Sequence, residues 1–107
     1  MPDLIQLEVA TPERLLVKEQ VSDVQLPGKE GYLGILPGHA ALLTQLGAGT
    51  LIYTTAGRKR FLTVDGGFAE VLSDHLRVLA DKATETDSDH GAVFGQCGSP
   101  EELEKGN

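Results

Sequence analysis

The sequence predicts an all-β fold, arranged as an antiparallel sandwich or barrel, from three observations. Apolar residues recur with a period of two, as they do in strands that bury one face. Gly, Pro and Asp interrupt these runs about every eight to twelve residues, a spacing typical of antiparallel sandwiches. No segment before residue 83 keeps a helical period.

The first strands are recognised by an alternation that stops at a strand-breaking residue. Ile5, Leu7 and Val9 face one side of a strand, and Pro12 ends it. Residues 24–26 alternate in the same way before a Pro-Gly pair. Both segments therefore predict short strands that are closed by turns.

The second half of the chain contains four more strands by the same criterion, at residues 51–54, 60–64, 68–72 and 76–80. Residues 55–59 predict a hairpin connection, because Gly57 supplies the positive φ that tight turns need. A Gly-Gly pair opens the strand at residues 68–72, and residues 73–75 form the turn that follows it.

The domain organisation follows from length and charge. The 107 residues suit one domain, and a hydrophobic content of 40% suffices for a modest core. Residues 1–83 hold eight Lys or Arg and ten Asp or Glu, whereas residues 84–107 hold one Lys and six Asp or Glu. The second segment also lacks periodicity. We therefore predict a sandwich domain at residues 1–83 and a short disordered acidic tail at residues 84–107.

Composition and charge limit the classes of partner. The one cysteine, Cys97, cannot form an intramolecular disulfide, which favours a reducing compartment. The sequence has no leader pattern and no apolar run that would span a bilayer, so membrane contact is expected only through a partner. The formal net charge of −7 and the lack of a basic face predict no nucleic-acid partner.

Candidate chemical sites are few. His39, His75 and His90 are too far apart in sequence to form a metal-binding pair on one strand, and there is no Gly-Lys-Ser/Thr phosphate loop. The sequence therefore predicts no catalytic residue, no cofactor and no metal. The basic cluster at residues 58–60 predicts a solvated hairpin tip that discourages edge pairing. Its alternative is a contact with an acidic partner or a lipid head group.

One segment is unusually rich in glycine and proline for a strand pair: residues 27–40 read PGKEGYLGILPGHA. This segment resembles the signature loop of the epsilon subunit family of F-type ATP synthases. Three further segments resemble blocks of that family in the same order, at residues 7–14, 64–71 and 78–81. Together the blocks cover residues 4–83 almost without gaps.

The resemblance implies both the fold and the function. In the family, a flattened antiparallel sandwich of about ten short strands is a non-catalytic part of the rotor, or central stalk. The resemblance implies docking on the gamma subunit and on the polar loops of the c-ring, as a monomer within the complex. The chain would then couple ion translocation to ATP synthesis at the cytoplasmic face of a bacterial inner membrane, without a cofactor.

The residues expected at the contacts with gamma and the c-ring are Glu30, Tyr32, His39 and Leu42. Tyr32 and His39 lie beside turn glycines, where side chains tend to project. Tyr32 stands where the family commonly has an acidic residue, so an amphipathic aromatic contact would replace a charged one. For His39 the alternative is a hydrogen bond to the loop backbone.

The tail is a second departure from the family. Typical members continue with two C-terminal helices that inhibit ATP hydrolysis. Residues 84–107 are too short, and too rich in Gly and acidic residues, to form two amphipathic helices. We therefore expect no inhibition by helix insertion, and no rise in ATPase activity when the chain is cut after about residue 83.

Two other function classes stay open. A small sandwich enzyme or ligand-binding barrel would have its site near His39, with Glu30 and Tyr32 as the other candidate polar groups. A free-standing β-sandwich binding module would join a different assembly. Co-elution with a gamma subunit distinguishes the rotor hypothesis from the enzyme or ligand-binding hypothesis.

Overall fold

The computed structural model describes residues 3–86, which form eight strands and no helix. The strands in chain order are β1 Ile5–Ala10, β2 Leu15–Val21, β3 Asp23–Gly28, β4 Gly31–Ile35, β5 Leu42–Gln45, β6 Ala48–Thr55, β7 Arg58–Leu72 and β8 His75–Thr86. Residues 3–86 therefore include no helix that is long and apolar enough to cross a membrane.

The strands form two layers that share β7 and β8. The hydrogen-bonded order is β2-β1-β8-β7-β6-β3-β4, with β5 paired to β7. In the first layer, residues 67–72 of β7 lie between β5 and residues 75–80 of β8, followed by β1 and β2. In the second layer, residues 58–65 of β7 lie between β6 and residues 82–86 of β8, with β3 and β4 beyond β6. The all-β sandwich prediction is confirmed, and the two shared strands make eight strands act as ten segments.

The bend between the layers lies at a pair of glycines in β7. Gly66 and Gly67 have φ values of 78° and 114°, which residues with a Cβ rarely adopt. A Cβ at Gly67 would overlap the carbonyl oxygen of Leu79. The ladder continues through the bend, because Leu46 N–H donates to the Gly67 carbonyl at 2.8 Å and Gly66 N–H to the Gly47 carbonyl at 3.1 Å.

Two-residue turns close both hairpins that β7 forms. Ala56 and Gly57 have φ values of 51° and 76°, and Ser73 and Asp74 have values of 51° and 58°. Positive φ at both central residues defines the type I′ turn, whose twist matches that of paired strands. The hairpin predicted at residues 55–59 is thus confirmed, with Thr55 opposite Arg58 in a tighter connection than the sequence suggested.

Three details differ from the sequence expectations. The predicted strands at residues 60–64 and 68–72 are halves of β7, because the Gly pair bends the ladder without breaking it. The sandwich is not antiparallel throughout: β1 pairs in parallel with β8, since alternation along a strand does not encode the direction of its neighbour. The predicted boundary at residue 83 falls inside β8, because residues 84–86 still pair with β7. The remainder of the predicted tail, residues 87–107, lies outside the described residues.

The core lies between the layers and is built from alternate strand positions. Its largest fully buried side chains are Tyr53, Ile5, Leu7, Leu26, Ile35, Leu51, Leu62 and Leu76. Burial raises the pKa of the Tyr53 phenol; the Glu19 charge raises it further and Arg60 lowers it. The phenol is therefore neutral at physiological pH, which suits its 2% exposure.

Candidate partner-binding surfaces

The segment that leads from the end of β3 through β4 and β5 to β6 follows an irregular path. The irregularity starts at Pro27, near the end of β3. Pro27 lies opposite Tyr32 in the β3–β4 pair. The Pro27 carbonyl accepts the Gly47 N–H at 2.8 Å, and Lys29 N–H donates to the Gln45 carbonyl at 2.9 Å. The end of β3 therefore pairs with the link between β5 and β6 instead of with β6, which leaves a gap in the β3–β6 ladder.

Tyr32 covers this gap. Its hydroxyl accepts the backbone N–H of Thr50 at 3.0 Å, although 52% of the residue is exposed. A Cβ on Gly49 would lie 2.5 Å from that hydroxyl and 2.7 Å from Pro27 Cβ, so glycine permits the close approach. Tyr32 thus holds the loop onto β6 with its polar end while its ring stays accessible.

Glu30 lies at the tip of the β3–β4 turn and is exposed. Together with Tyr32, Lys29 and Leu43, it lines an open groove of about 470 Å³ between this turn and β5, hereafter the tyrosine groove. The groove combines one charge of each sign with an aromatic ring and two leucines, Leu33 and Leu43. Such a mixture suits a polar peptide loop better than a small apolar ligand, which prefers an enclosed cavity.

His39 is half-buried and is engaged within its own loop. Its Nδ1 lies 2.7 Å from the Ala40 carbonyl oxygen, so Nδ1 donates a hydrogen bond to this carbonyl. The β4–β5 loop is anchored to the β7–β8 turn, because Gly38 N–H donates to the Asp74 carboxylate at 2.7 Å. The alternative expectation for His39, a hydrogen bond to the loop backbone, agrees with this geometry.

Leu42 and Leu43 face opposite sides of β5. Leu42 is partly buried and packs against the core, whereas Leu43 is 71% exposed. Of the four expected contact residues, the structure therefore brings Glu30 and Tyr32 together in the tyrosine groove. His39 and Leu42 do not line this groove.

The outer face of the first layer carries exposed apolar side chains. Phe68 and Leu79 lie opposite each other in β7 and β8 and are 52% and 57% exposed. With Leu43 they line one shallow depression, and these three residues are hereafter the apolar face. Leu43 also lines the tyrosine groove, so the two surfaces are continuous.

A row of alternating charges crosses the same side of the first layer. Lys18, Glu8, Arg77 and Glu70 are opposite one another in successive strands from β2 to β7, and they are hereafter the charge row. The Glu8 carboxylate lies 3.4 Å from Arg77 Nε and 3.6 Å from His75 Nε2. Alternating signs keep the row close to neutral, yet they present a fixed pattern to a partner.

The outer face of the second layer is polar by comparison. Thr50, Thr63 and Thr84 follow one another across β6, β7 and β8; Thr63 and Thr84 are exposed, whereas Thr50 is buried. Thr54 Oγ1 donates to the Asp23 carboxylate at 3.1 Å. Among residues 3–86, the strands of this layer carry one large exposed hydrophobic side chain, that of Tyr32.

Comparisons with other proteins relate this fold to a family. Residues 4–86 match the family model described as the β-sandwich domain of the ATP synthase delta/epsilon chain. The chain belongs to this family. It is 65% identical over 83 residues to the ATP synthase epsilon chain of Solibacter usitatus and 48% identical to that of Koribacter versatilis. The matches cover 78% of this chain but 62% and 58% of the relatives, so the chain spans about three-fifths of their length.

Chains in solved structures share this fold. One similar chain, 27% identical with a TM-score of 0.73, comes from a cryo-EM structure of the Euglena gracilis mitochondrial ATP synthase with OSCP, F1 and c-ring. The match covers 79% of this chain and 55% of that one. A chain from the central stalk and c-ring of the Tetrahymena thermophila mitochondrial ATP synthase shares the fold at 16% identity and a TM-score of 0.64, with 75% and 65% covered.

Sequence reasoning did not identify Phe68 and Leu79 as residues of the apolar face. The alternation of side chains along β7 is the sequence signal that could have identified Phe68. Ala69 and Val71 are buried, so the side chains at alternate positions of β7 point outward. Phe68 is an outward residue by this parity. Within residues 3–86 no group of three or more His, Cys, Asp or Glu could hold a metal ion.

Proposed function

We propose that the chain is a non-catalytic rotor subunit of an F-type ATP synthase, where it docks on the gamma subunit and the c-ring and couples ion translocation to ATP synthesis. The apolar face carries this proposal. Three large side chains on one sheet face are an unfavourable exposure unless a partner covers them. Membership of the delta/epsilon family supports gamma as that partner.

We assign the apolar face and the charge row to gamma. Aromatic and leucine side chains exclude water at the centre of an interface, and charged residues at its margin select one orientation. Glu70 and Arg77 lie opposite each other beside the apolar face, so they suit that marginal position. A partner with the reversed order of charges would fit this row in one register.

We assign the tyrosine groove to the c-ring. Glu30 and Lys29 can pair with charges of polar loops, and the exposed Tyr32 ring adds apolar area. The groove shares Leu43 with the apolar face, so one subunit can contact both partners with adjoining surfaces. His39 contributes by shaping the loop. The corresponding location is the cytoplasmic face of a bacterial inner membrane, with one copy of the chain per complex.

The direct test is association with gamma. The full chain, mixed with a purified gamma subunit, is expected to co-elute as a stable one-to-one complex, and a chain with Phe68→Glu is the matched control. Two intact, folded proteins that elute separately at concentrations of about 10 μM would contradict the proposal. Metal analysis and ligand-dependent melting would instead favour the enzyme or binding-barrel alternative.

The expectation about regulation falls on residues outside the described part of the chain. It stays a prediction that the chain does not inhibit by helix insertion. ATPase activity of the assembled complex, measured with the full chain and with a chain cut after Thr86, checks it. We choose this cut because Thr86 is the last residue of β8 that the structure describes. A strong rise in activity with the shorter chain would show an inhibitory tail.

A further inference from the structure

The β7–β8 turn has an aspartate at a position that favours glycine. In a type I′ turn both central residues take positive φ, and glycine is preferred at the second because it has no Cβ. The β6–β7 turn follows this preference with Gly57, whereas the β7–β8 turn has Asp74 at φ of 58°. A contact of the Asp74 side chain is therefore expected to offset the strain. That contact reaches residues 36–39, hereafter the proline turn.

The proline turn has one backbone donor that it does not use itself. His39 N–H donates to the Leu36 carbonyl at 3.1 Å, and Gly38 has φ of 85°. This geometry is that of a type II turn with Pro37 at its first central position. Pro37 has no N–H and the N–H of His39 is bonded within the turn, so Gly38 N–H is the remaining donor. It donates to the Asp74 carboxylate at 2.7 Å.

The backbone of Asp74 is fixed by a second hydrogen bond. Its carbonyl accepts the N–H of Gln6 at 2.9 Å, so the β7–β8 turn is tied to the start of β1. One residue therefore joins the β7–β8 turn, β1 and the proline turn. The bond to Gly38 has an ionised acceptor, which makes it stronger than a hydrogen bond between neutral groups.

The hydrogen bond lies between two exposed leucines. The proline turn carries Leu36, which is 60% exposed, and β7 ends with Leu72, which is 56% exposed. Leu72 is on the same side of β7 as Phe68 by the period of two, and it lines a depression with Glu70 of the charge row. Exposed apolar side chains therefore continue from the apolar face to the β7–β8 turn, where Asp74 joins the proline turn to them.

We propose that Asp74 is a positioning residue for gamma binding: its carboxylate holds the proline turn in place, so that Leu36 extends the apolar face. This inference rests on the proposed docking of that face on gamma. A loop that becomes ordered only on binding lowers affinity, and a loop that is already held avoids this loss. The surface of gamma opposite Leu36 is accordingly expected to be apolar.

Gamma binding by the full chain, measured by titration calorimetry, tests the positioning role. Asp74→Gly removes the carboxylate but suits the positive φ, so the β7–β8 turn should stay folded. This variant is expected to bind gamma about tenfold more weakly. Asp74→Asn keeps an acceptor oxygen and tolerates the same φ, so its affinity should stay within about twofold of the native value. An unchanged affinity in Asp74→Gly, or an equal loss in both variants, overturns the proposal.

A double-mutant cycle tests whether Asp74 acts through Leu36. Leu36→Ala is expected to weaken gamma binding about tenfold in the native chain. In the Asp74→Gly background the same change should cost less than about twofold, because the proline turn is no longer held. Additive losses overturn the positioning role. Should Asp74→Gly not fold, which thermal melting shows, an unchanged affinity in Leu36→Ala alone overturns the proposal.

Amide hydrogen exchange in the free chain tests the hydrogen bond without gamma. The Gly38 amide is expected to exchange about fivefold faster in Asp74→Gly than in the native chain and in Asp74→Asn. Equal rates in the three chains overturn the proposal. A native chain that does not bind gamma overturns the proposed function and the positioning role together. A native chain that binds gamma with the same affinity as Asp74→Gly overturns the positioning role alone.

Discussion

The outer faces of the two layers are made of different residues although both layers share β7 and β8. Phe68 and Leu79 point out of the first layer, where the charge row borders them, whereas Thr63 and Thr84 occupy the corresponding strands of the second layer. The same two strands thus change character at the bend. The difference shows that β7 and β8 present exposed apolar side chains on one side of the molecule and exposed threonines on the other.

A substitution at the bend between the two layers is expected to destabilise the protein most. Gly67→Ala places a Cβ on the Leu79 carbonyl and forces a side chain into φ of 114°. We expect the free energy of unfolding to fall by about 3 to 5 kcal/mol, since overpacking and backbone strain add. Gly57→Ala, at φ of 76° with no atom within 4 Å, should cost about 1 kcal/mol. Equal losses in urea denaturation would show that the carbonyl contact is unimportant.

The contrast between the faces is tested most directly by a charge on each. Phe68→Glu is expected to weaken gamma binding by about 30-fold or more, as the loss of an interface hot spot of about 2 kcal/mol does. Thr63→Glu introduces the same residue on β7 in the second layer and should leave the dissociation constant unchanged. Titration calorimetry of both variants decides the matter. If both variants weakened gamma binding equally, the first layer would not be the preferred binding face for gamma.

Tyr32 sharpens the comparison, because it is a large exposed aromatic residue on the outer side of the polar layer. Tyr32→Phe removes the acceptor for Thr50 N–H and is expected to lower the free energy of unfolding by about 1 kcal/mol, the cost of a part-buried unpaired donor. Gamma binding should be unaffected, because the proposal assigns the tyrosine groove to the c-ring. A variant as stable as the native chain would mean that water replaces the hydroxyl without cost.

The charge row should have the smallest effect on stability. Glu8→Gln removes the carboxylate that Arg77 and His75 approach and is expected to cost about 0.5 kcal/mol at low salt. The cost should shrink at about 1 M salt, where such pairs are screened. Glu13→Gln, whose carboxylate has no ion pair within residues 3–86, is the matched control and should change nothing. Thermal melts at both salt concentrations measure the difference.

The residues that sequence reasoning placed correctly are those whose constraint is local. Alternation in β1 and the glycine in the β6–β7 turn depend on side-chain parity and backbone φ, and both can be identified along a single strand. The sharing of β7 between layers was not predicted, because a Gly-Gly pair in a sequence signals either an end or a bend. The structure distinguishes the two through the hydrogen bonds at Gly66 and Gly67.

The site was only partly predictable for a similar reason. Glu30 and Tyr32 share a groove because the turn between them is local. The apolar face joins β5, β7 and β8, whose adjacency depends on topology rather than on spacing along the chain. Leu42 likewise points inward because it pairs with the buried Val71. The four residues of β5 alone do not encode this register.

The parallel pairing of β1 with β8 has a consequence for how the protein folds during its synthesis. Gln6 pairs with His75, so β1, which leaves the ribosome before the other strands, cannot complete its pairing until β8 has been synthesised. A contact between such distant positions in sequence makes folding slow compared with that of hairpin-dominated domains. Until β8 is synthesised, β1 and β2 form a lone hairpin, which is marginal in water. A nascent chain stalled before residue 75 is therefore expected to remain sensitive to protease.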